Sequence, residues 1–541
     1  MQARWYTNKK YLLFIKVMRL SYKIIYLCLL QGIGILSLSA QKHDYQWLFG
    51  YGNRVASTDT NFGGIILDFN DTPTALVKHV RLSDINEDNV SYSDNNGKLL
   101  FYSNGGDIFD SQDSIMLNGD SINFGNDWEV ELIETSERYR GLRIIQGMLA
   151  LPAPSDSSGA YLFHYSVHLC ILSDTSEAYL TDTSFYSLID FKGNNNLGKV
   201  IKKNQVLNSD TLSYAELSAV QHGNGRDWWI IHPYYTGNCY YKFLLSDTGT
   251  GLHDIQCIGE NQYGFGGIGT SCFSPNGEKY FWVDPLDSIR MFDFDRCTGE
   301  LSNPQTIPFP YPLSADTLGV ASSGIAISPN GRYMYIAATI MVLQYDLEAP
   351  DIGASVDTVA IWDGSYDPYP LANTFFIEQL GPDGKIYINS TNSVESLSVI
   401  NQPDSSGVNC IVSQHSLFLH TYNDASMPNF PNYRLGPLHG SACDTLNTMT
   451  TDVRAEKERI LKVYPNPATE HTIVDYGFTD WNQGNINMQI VDALGRVIYT
   501  QQLPMYSGYQ KLNVSQFAAG MYTVFIKRNN TVVATQKLVK Q

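Results

Sequence analysis

His164 and His168 stand four residues apart, the spacing at which two imidazoles chelate a metal from one face of a helix. The segment around them reads as a strand, where four residues span about 13 Å, so the pair is assigned to structure rather than to a metal. His222 and His232 flank an Asn224-Gly225 turn. Hairpin register puts His222 near Asp227 and carries His232 far beyond it, which suits a hydrogen bond within the turn better than acid–base catalysis. Asp287, Asp293 and Asp295 carry the oxygen ligands that calcium takes. Their spacing matches no calcium loop, and Asp ahead of a glycine turn is the commoner use of that residue. Trp228-Trp229 and Tyr234-Tyr235 offer rings for stacking on sugars, but adjacent strand residues point to opposite faces, so at most half of that surface is open. No nucleophile elbow, zinc-binding helix motif, phosphate loop or dinucleotide-binding glycine pattern occurs. The residues therefore nominate no catalytic group, no metal site and no cofactor.

The elements that carry these residues repeat. Ser93-Asp94-Asn95-Asn96-Gly97-Lys98, Phe273-Ser274-Pro275-Asn276-Gly277-Glu278, Ile327-Ser328-Pro329-Asn330-Gly331-Arg332 and Leu380-Gly381-Pro382-Asp383-Gly384-Lys385 are four copies of one motif, with weaker copies around Gly159 and Gly225. The turn glycines 97, 159, 225, 277, 331 and 384 are spaced by 62, 66, 52, 54 and 53 residues. In each copy an apolar strand ends, an Asn/Asp-Gly turn reverses the chain, and an aromatic, β-branched strand leaves. Three or four antiparallel strands per repeat, recurring at this period, predict the blades of a β-propeller. Six complete units fit between about residues 80 and 408. Trp47–Gly50 and Gly64–Asp71 resemble the second and third strands of a seventh unit, whose first strand would come from the far end near Asn429–Leu435. The expectation is seven blades over residues 43–440, with six or eight as the alternatives. Composition agrees with a β-rich globular chain: 541 residues, 12% aromatic, 17% charged, with 35 Tyr. The net charge of -18, from 36 Lys+Arg against 54 Asp+Glu, disfavours nucleic acid and anionic membrane surfaces as partners.

Arg19 and Lys23 precede an apolar run from Ile24 to Leu38 that ends in Ser39-Ala40-Gln41. This is the pattern of a secretory signal peptide over residues 1–40, with cleavage after Ala40 and Met18 as the alternative start. About 15 apolar residues fall short of the ~20 that span a bilayer, so an integral membrane protein is not expected. Removal of Cys28 leaves seven cysteines, an odd number without any C-x-x-C. Export makes disulfides plausible, and Cys272 with Cys297 and Cys410 with Cys443 are the first pairs to consider.

The repeats resemble the secreted propeller modules of Bacteroidetes proteins, a likeness specific for fold and nearly silent on activity. After a polar linker at 441–459, residues 460–541 change pattern: Tyr464-Pro465-Asn466-Pro467, then Asp492, Gly495 and Arg496, then Gly520 and Tyr522, then a last strand with Lys537 and Lys540. Short strands between Gly, Pro and Asn predict a small Ig-like β-sandwich. The ordered motifs resemble the type A C-terminal sorting domain of the type IX secretion system. That resemblance implies recognition by the secretion machinery at the outer membrane, removal of the domain, and release or surface attachment by way of the periplasm.

Asp followed by Ser or Thr and an aliphatic residue recurs more often than composition predicts, placing Ser114, Ser121, Thr211, Ser288, Thr317, Thr358 and Thr445 in a pattern that resembles the O-glycosylation sequon of exported Bacteroidetes proteins. The same pattern also suits a turn residue ahead of a β-branched strand start. The expected function is a non-enzymatic propeller, secreted or displayed on the cell surface, that binds a protein or glycan. The rival is an extracellular hydrolase or lyase acting on a polysaccharide or peptide in the ring's channel. Convergent carboxylates in that channel would favour the enzyme; a channel plugged by apolar and Tyr side chains would favour the binder.

Overall fold

The computed structural model describes residues 41–541 apart from 53–60, 72–73, 82, 124–140, 157, 172–176, 263–268, 285–287, 310–323, 368–370, 445–458, 465, 479–485, 493–494, 504–506 and 529–530. The expected signal peptide, Asp287, Pro465, Thr317, Thr445 and most of the linker lie outside these residues. The chain divides into two compact units, Met1–Leu446 and Asn447–Gln541.

The first unit is the β-propeller, with seven sheets among the described residues, each an antiparallel meander. Blade 1 comprises Gln46–Gly50, Gly64–Asp68 and Ala75–His79, and blade 2 comprises Val90–Ser93, Leu99–Ser103 and Ile108–Asp110. Blades 3 to 7 have four strands each, beginning at Met148, Ser218, Ser271, Gly324 and Glu378 and ending at Asn208, Gln262, Pro308, Ile361 and Asp424. The six turn glycines all lie where the first strand of a blade passes to its second. Five of them, at 97, 225, 277, 331 and 384, have φ between 73° and 84°, which a side-chain-bearing residue adopts only with strain. The Ser-Pro-Asn-Gly turn has a specific wiring. Ser328 Oγ accepts the Tyr333 N–H and donates to Asn330 Oδ1, while Asn330 Oδ1 also accepts the Arg332 N–H. Ser274, Asn276, Glu278 and Lys279 repeat the arrangement.

Alternate residues of each strand enter different cores, because a blade packs against a neighbour on both faces. Trp228 joins the cluster shared with blade 3, whereas Trp229 joins Tyr280, Trp282 and Phe292 of blade 5. Both indoles are buried, so none of that aromatic pair is available for sugar stacking, not even the half that strand alternation left open. Only a sheet with one wet side exposes alternate residues, and an interior propeller sheet has none.

Blade 1 departs from expectation in one respect. The side chains of Asn89 and Ser91 bond to Leu48 O and Gln46 O, and Ser93 N–H bonds to His43 O, so Gln46–Gly50 runs opposite to the first strand of blade 2, as a second strand should. No strand from 429–435 pairs with it. Pro428, Pro431 and Pro437 lack the N–H that a ladder needs, and the inward carbonyls of Gln46 and Leu48 are already taken by blade 2. Instead, Tyr422 N–H to Asn61 O, Thr421 Oγ to Gly63 O, and the Tyr51–Ser393 hydroxyl pair join blade 7 to blade 1.

The expected cysteine pairs do not form. Cys239 bridges Cys257 between the third and fourth strands of blade 4, and Cys297 bridges Cys443. Cys272, on the first strand of blade 5, and Cys410, in the core between blades 6 and 7, are free thiols.

The second unit has a three-stranded sheet, Arg459–Tyr464, His471–Phe478 and Ser507–Asn513, and a four-stranded sheet, Val497–Leu503, Ile486–Asp492, Gly520–Arg528 and Thr531–Lys540, in that spatial order. Both sheets contribute to one apolar core that includes Val474, Met488, Val524 and Leu538. Among the described residues no helix is long and apolar enough to cross a membrane.

Candidate functional site: the occupied axis of the ring

First strands of neighbouring blades approach one another around the axis, and the chain that leaves blade 7 returns along it. Asn389 Nδ2 and Asn89 Nδ2 bond to Ala425 O and Ser426 Oγ. Asn429 Nδ2 donates to Met148 O and Leu217 O at 3.0 and 2.9 Å, and Tyr433 Oη donates to Ala150 O at 2.7 Å. Asn432 reaches Pro275 O, and Arg434 pairs with Asp44 at 2.6 Å. Beyond the axis, Arg296 Nη2 holds Gly436 O, Leu438 N–H bonds to Gly223 O, and the Cys297–Cys443 bridge follows. Side-chain amides do here what a β-ladder would do for a proline-free strand, since each buried backbone carbonyl still needs a donor. Phe430 packs on Trp47, with ring centres 5.8 Å apart, and Tyr433 packs against Trp228 at 5.8 Å and His43 at 5.2 Å.

This segment fills the axis beside blades 1 to 4 and leaves a cavity of about 270 Å³ against the first strands of blades 4 to 7. Glu378, Gln146, Ser218, Cys272 and Asn429 line one part of it, and the Pro275, Pro329 and Pro382 turns line another. Three carboxyl groups are deeply buried near the starts of first strands: Glu378 (4% exposed), Glu216 (0%) and Asp88 (1%). Burial pushes the Glu216 carboxyl up to about 7 and those of Glu378 and Asp88 well above the usual range. Of the three, only Glu378 lines the cavity. The other acid there, Asp44, is neutralised by Arg434.

The residues singled out from sequence are held separately. His164 is buried between Asn123 Oδ1 and Ser187 Oγ, at 2.5 and 2.9 Å, and burial lowers its pKa to about 3. His232 bonds to Ser213 O and is likewise pushed down to about 4. His222 Nδ1 accepts the Asn224 N–H, the turn bond expected for it. Asp293 is held by Lys279 and Asn303, and Asp295 caps the N–H groups of Cys297 and Thr298. Among the described residues no group of His, Cys, Asp and Glu has the arrangement of a metal site. Tyr234 stacks on Tyr241, and Tyr235 is half-buried beside it in sequence. Of the Asp-Ser/Thr sites, Ser114 is exposed, Ser121, Thr211 and Thr358 are half-buried, and Ser288 is 2% exposed.

Two features escaped the sequence reading. Glu378 heads a first strand after Phe375-Phe376-Ile377, and an acid in that apolar run was the available signal. At the rim between blades 6 and 7, His415 Nε2 lies 2.9 Å from Asp363 Oδ2 and its Nδ1 lies 3.3 Å from Ser365 Oγ. Asp363 and Ser365 are some 50 residues from His415 in sequence, so only the packing of two blades brings the three together.

In the second unit the motif residues share two places. Asp492 Oδ1 accepts the Arg496 N–H while its Oδ2 takes Arg496 Nε at 2.6 Å, and Gly495 has φ 80°, closing the hairpin. Asn466 donates to Lys537 O and accepts the Val539 N–H, and Ala468 bridges Lys540, so the Asn-Pro loop rests on the last strand. Tyr522 Oη bonds to Ala518 O.

Residues 462–541 match the family model described as a secretion system C-terminal sorting domain. Nothing among curated proteins matches the chain. Among solved structures, a putative 6-phosphogluconolactonase from Bacteroides fragilis aligns at 10% identity over 53% of this chain and 87% of its own, with a TM-score of 0.32. The β-propeller domain of Swd1 from Myceliophteria thermophila aligns at 12% identity over 61% and 86%, with a TM-score of 0.32. The extracellular domain of a putative hybrid two-component system from B. thetaiotaomicron aligns at 10% identity over 88% and 72%, with a TM-score of 0.29. At these scores none of the three bears on function. The sorting domain does: it marks the chain for type IX export, to the cell surface or the medium, through contact with the secretion machinery.

Proposed function

We propose that this chain is a non-enzymatic propeller, secreted or displayed on the cell surface, that binds a protein or a glycan. The observation that carries the reading is the occupied axis: Phe430 and Tyr433 fill the place where a channel enzyme of this fold would hold substrate. The remaining cavity holds one carboxyl group without an ionic partner, whereas glycosidic or peptide hydrolysis at carboxylates uses a pair. Export begins with the signal peptide at residues 1–40, and the sorting domain is removed at the 441–459 linker. Ser114, exposed in blade 2, is the best placed of the O-glycosylation candidates. Incubation of the purified protein with extracellular polysaccharides and peptides tests the main point. Retention without new reducing ends or new amino termini is expected; release of either overturns the non-enzymatic reading. Intact mass of the exported form should begin near Gln41 and lack residues beyond about 460; a mass that retains the C-terminal strands speaks against processing.

The Ser365–His415–Asp363 arrangement favours the second reading, a surface hydrolase with Ser365 as nucleophile. Any cleavage that disappears in Ser365→Ala would establish it.

A further inference from the structure

Where the outermost strand of blade 7 meets blade 6, the rim carries open aromatic rings set among polar groups. Tyr366, just after the last strand of blade 6, is 59% exposed, and Phe418, on the last strand of blade 7, is 48% exposed. Each is propped edge-on by a second ring: Trp362 stands 5.4 Å from Tyr366 at 72°, and His420 stands 4.6 Å from Phe418 at 76°. Polar contacts seat the two blades on each other between these pairs. His415 lies on Asp363 and Ser365, Gln414 Nε2 donates to Ile361 O at 2.9 Å, and Asp367 Oδ2 accepts the Glu395 N–H at 2.6 Å. Phe418 lies opposite Ser396, the residue after Glu395, so both exposed rings border the same contact. Asp363 keeps 48% of its side chain exposed, His420 is exposed and Glu395 is half-buried, which leaves all three within reach of a ligand.

The strand that carries Phe418 is irregular on both sides of it. His415 and His420 have φ of 38° and 63°, a region that side-chain-bearing residues rarely enter away from functional sites, and the ladder shifts register between Val394 and Ser396 and again between Leu397 and Val399. These breaks interrupt the row of N–H and C=O groups that an added peptide strand would pair with. The rings alternate with carboxyl, imidazole and hydroxyl groups, which suits a ligand whose own apolar faces and polar edges alternate. A sugar chain is such a ligand, since the C–H face of each ring lies on an aromatic side chain while its hydroxyls bond at the edge. The carboxyl groups of Asp363, Asp367 and Glu395, on a chain of net charge -18, disfavour an acidic polysaccharide.

We propose that this rim between blades 6 and 7 binds a neutral glycan, with sugar rings stacked on Tyr366 and Phe418 and their hydroxyls bonded to Asp363, Glu395 and His420. The proposal rests on the reading of the propeller as a binding module and deepens it by naming the site and the ligand class.

Titration calorimetry of the full chain with cellohexaose, xylohexaose, mannohexaose and laminarihexaose, and with hexagalacturonate as the acidic control, is the test. At least one neutral hexasaccharide should bind, at least tenfold more tightly than hexagalacturonate. Tyr366→Ala and Phe418→Ala should each weaken that binding at least tenfold, and Tyr366→Phe, which keeps the ring, should bind better than Tyr366→Ala. Both rings are exposed, so both alanine variants should unfold in urea near the midpoint of the unaltered protein, which separates loss of binding from loss of fold. Should Phe418→Ala fail to fold, the two Tyr366 variants still decide. Binding of none of the neutral hexasaccharides, tighter binding of hexagalacturonate, or affinity unchanged in both alanine variants each overturns the proposal. Glycan binding that survives both variants leaves the binding-module reading intact, as does retention of a protein at this rim, which would overturn the ligand class. Cleavage of a bound hexasaccharide would defeat the non-enzymatic reading and leave the rim standing as the sugar site.

Discussion

Replacing Cys297 and Cys443 together by serine cuts the covalent tie between the chain leaving the axis and the turn joining the third and fourth strands of blade 5. The bridge spans a sequence separation of 146, and the logarithmic dependence of loop-closure entropy on loop length makes this constraint on the unfolded chain worth about 5 kcal/mol. The same relation gives about 3 kcal/mol for Cys239–Cys257, with a separation of 18. The difference of about 2 kcal/mol is the sharper quantity, because the constant in the relation cancels. Urea unfolding of the full chain, followed by fluorescence of the buried Trp47, Trp228, Trp229 and Trp282, measures both double variants. Cys297→Ser/Cys443→Ser should lose about 2 kcal/mol more than Cys239→Ser/Cys257→Ser. It should also open the Arg434–Leu435 bond to trypsin, since Arg434 otherwise stays locked on Asp44. Equal losses in the two variants, with Arg434 still protected, would refute the reasoning and show that the axial segment is held by its amide bonds and rings alone.

Phe430→Ala should destabilise the first unit by about 3–5 kcal/mol, the range for emptying a buried aromatic site, as read from urea unfolding; a loss under about 1 kcal/mol would mean the axis is not packed as described. Glu216 has a pKa of about 7 in the folded protein against 4.5 for the free group. Its contribution is therefore fully present below pH 4.5 and is lost as pH rises through 7, which amounts to about 3 kcal/mol. Glu216→Gln should remove that part of the pH dependence, and unfolding curves that keep the same pH slope would exclude it. Deletion of residues 537–541 strips the end of the edge strand on which Asn466 rests, and should trap a folded propeller in the periplasm; fractionation that finds equal surface levels would make the C-terminal unit a passive appendage.

The repeat was legible because each blade is a local object. Its turn needs a positive φ at Gly97, Gly277 or Gly331, and its strands need aromatic and β-branched residues, so each copy of the signal is complete within a short stretch of chain. The sorting motifs were legible for the same reason: Asp492, Gly495 and Arg496 close one hairpin among themselves. What eluded the sequence reading depends on residues far apart in the chain. The position of the ring-closing segment suggests a strand, but Pro428, Pro431 and Pro437 withhold the N–H groups that a ladder needs.

From sequence alone follow the all-β fold, six of the units with their turns, and the export address, since short-range stereochemistry and ordered motifs specify each of them; the seventh sheet is placed by the tertiary structure. Tertiary structure alone decided that both Trp228 and Trp229 are buried, that Cys297 pairs with Cys443, and that the axis is occupied. It also decided that the Glu378 carboxyl is buried at the head of a first strand beside the cavity that remains. Burial, cysteine partnership and cavity shape are set by which blades meet across the ring, and no local pattern records which distant residues those blades bring together.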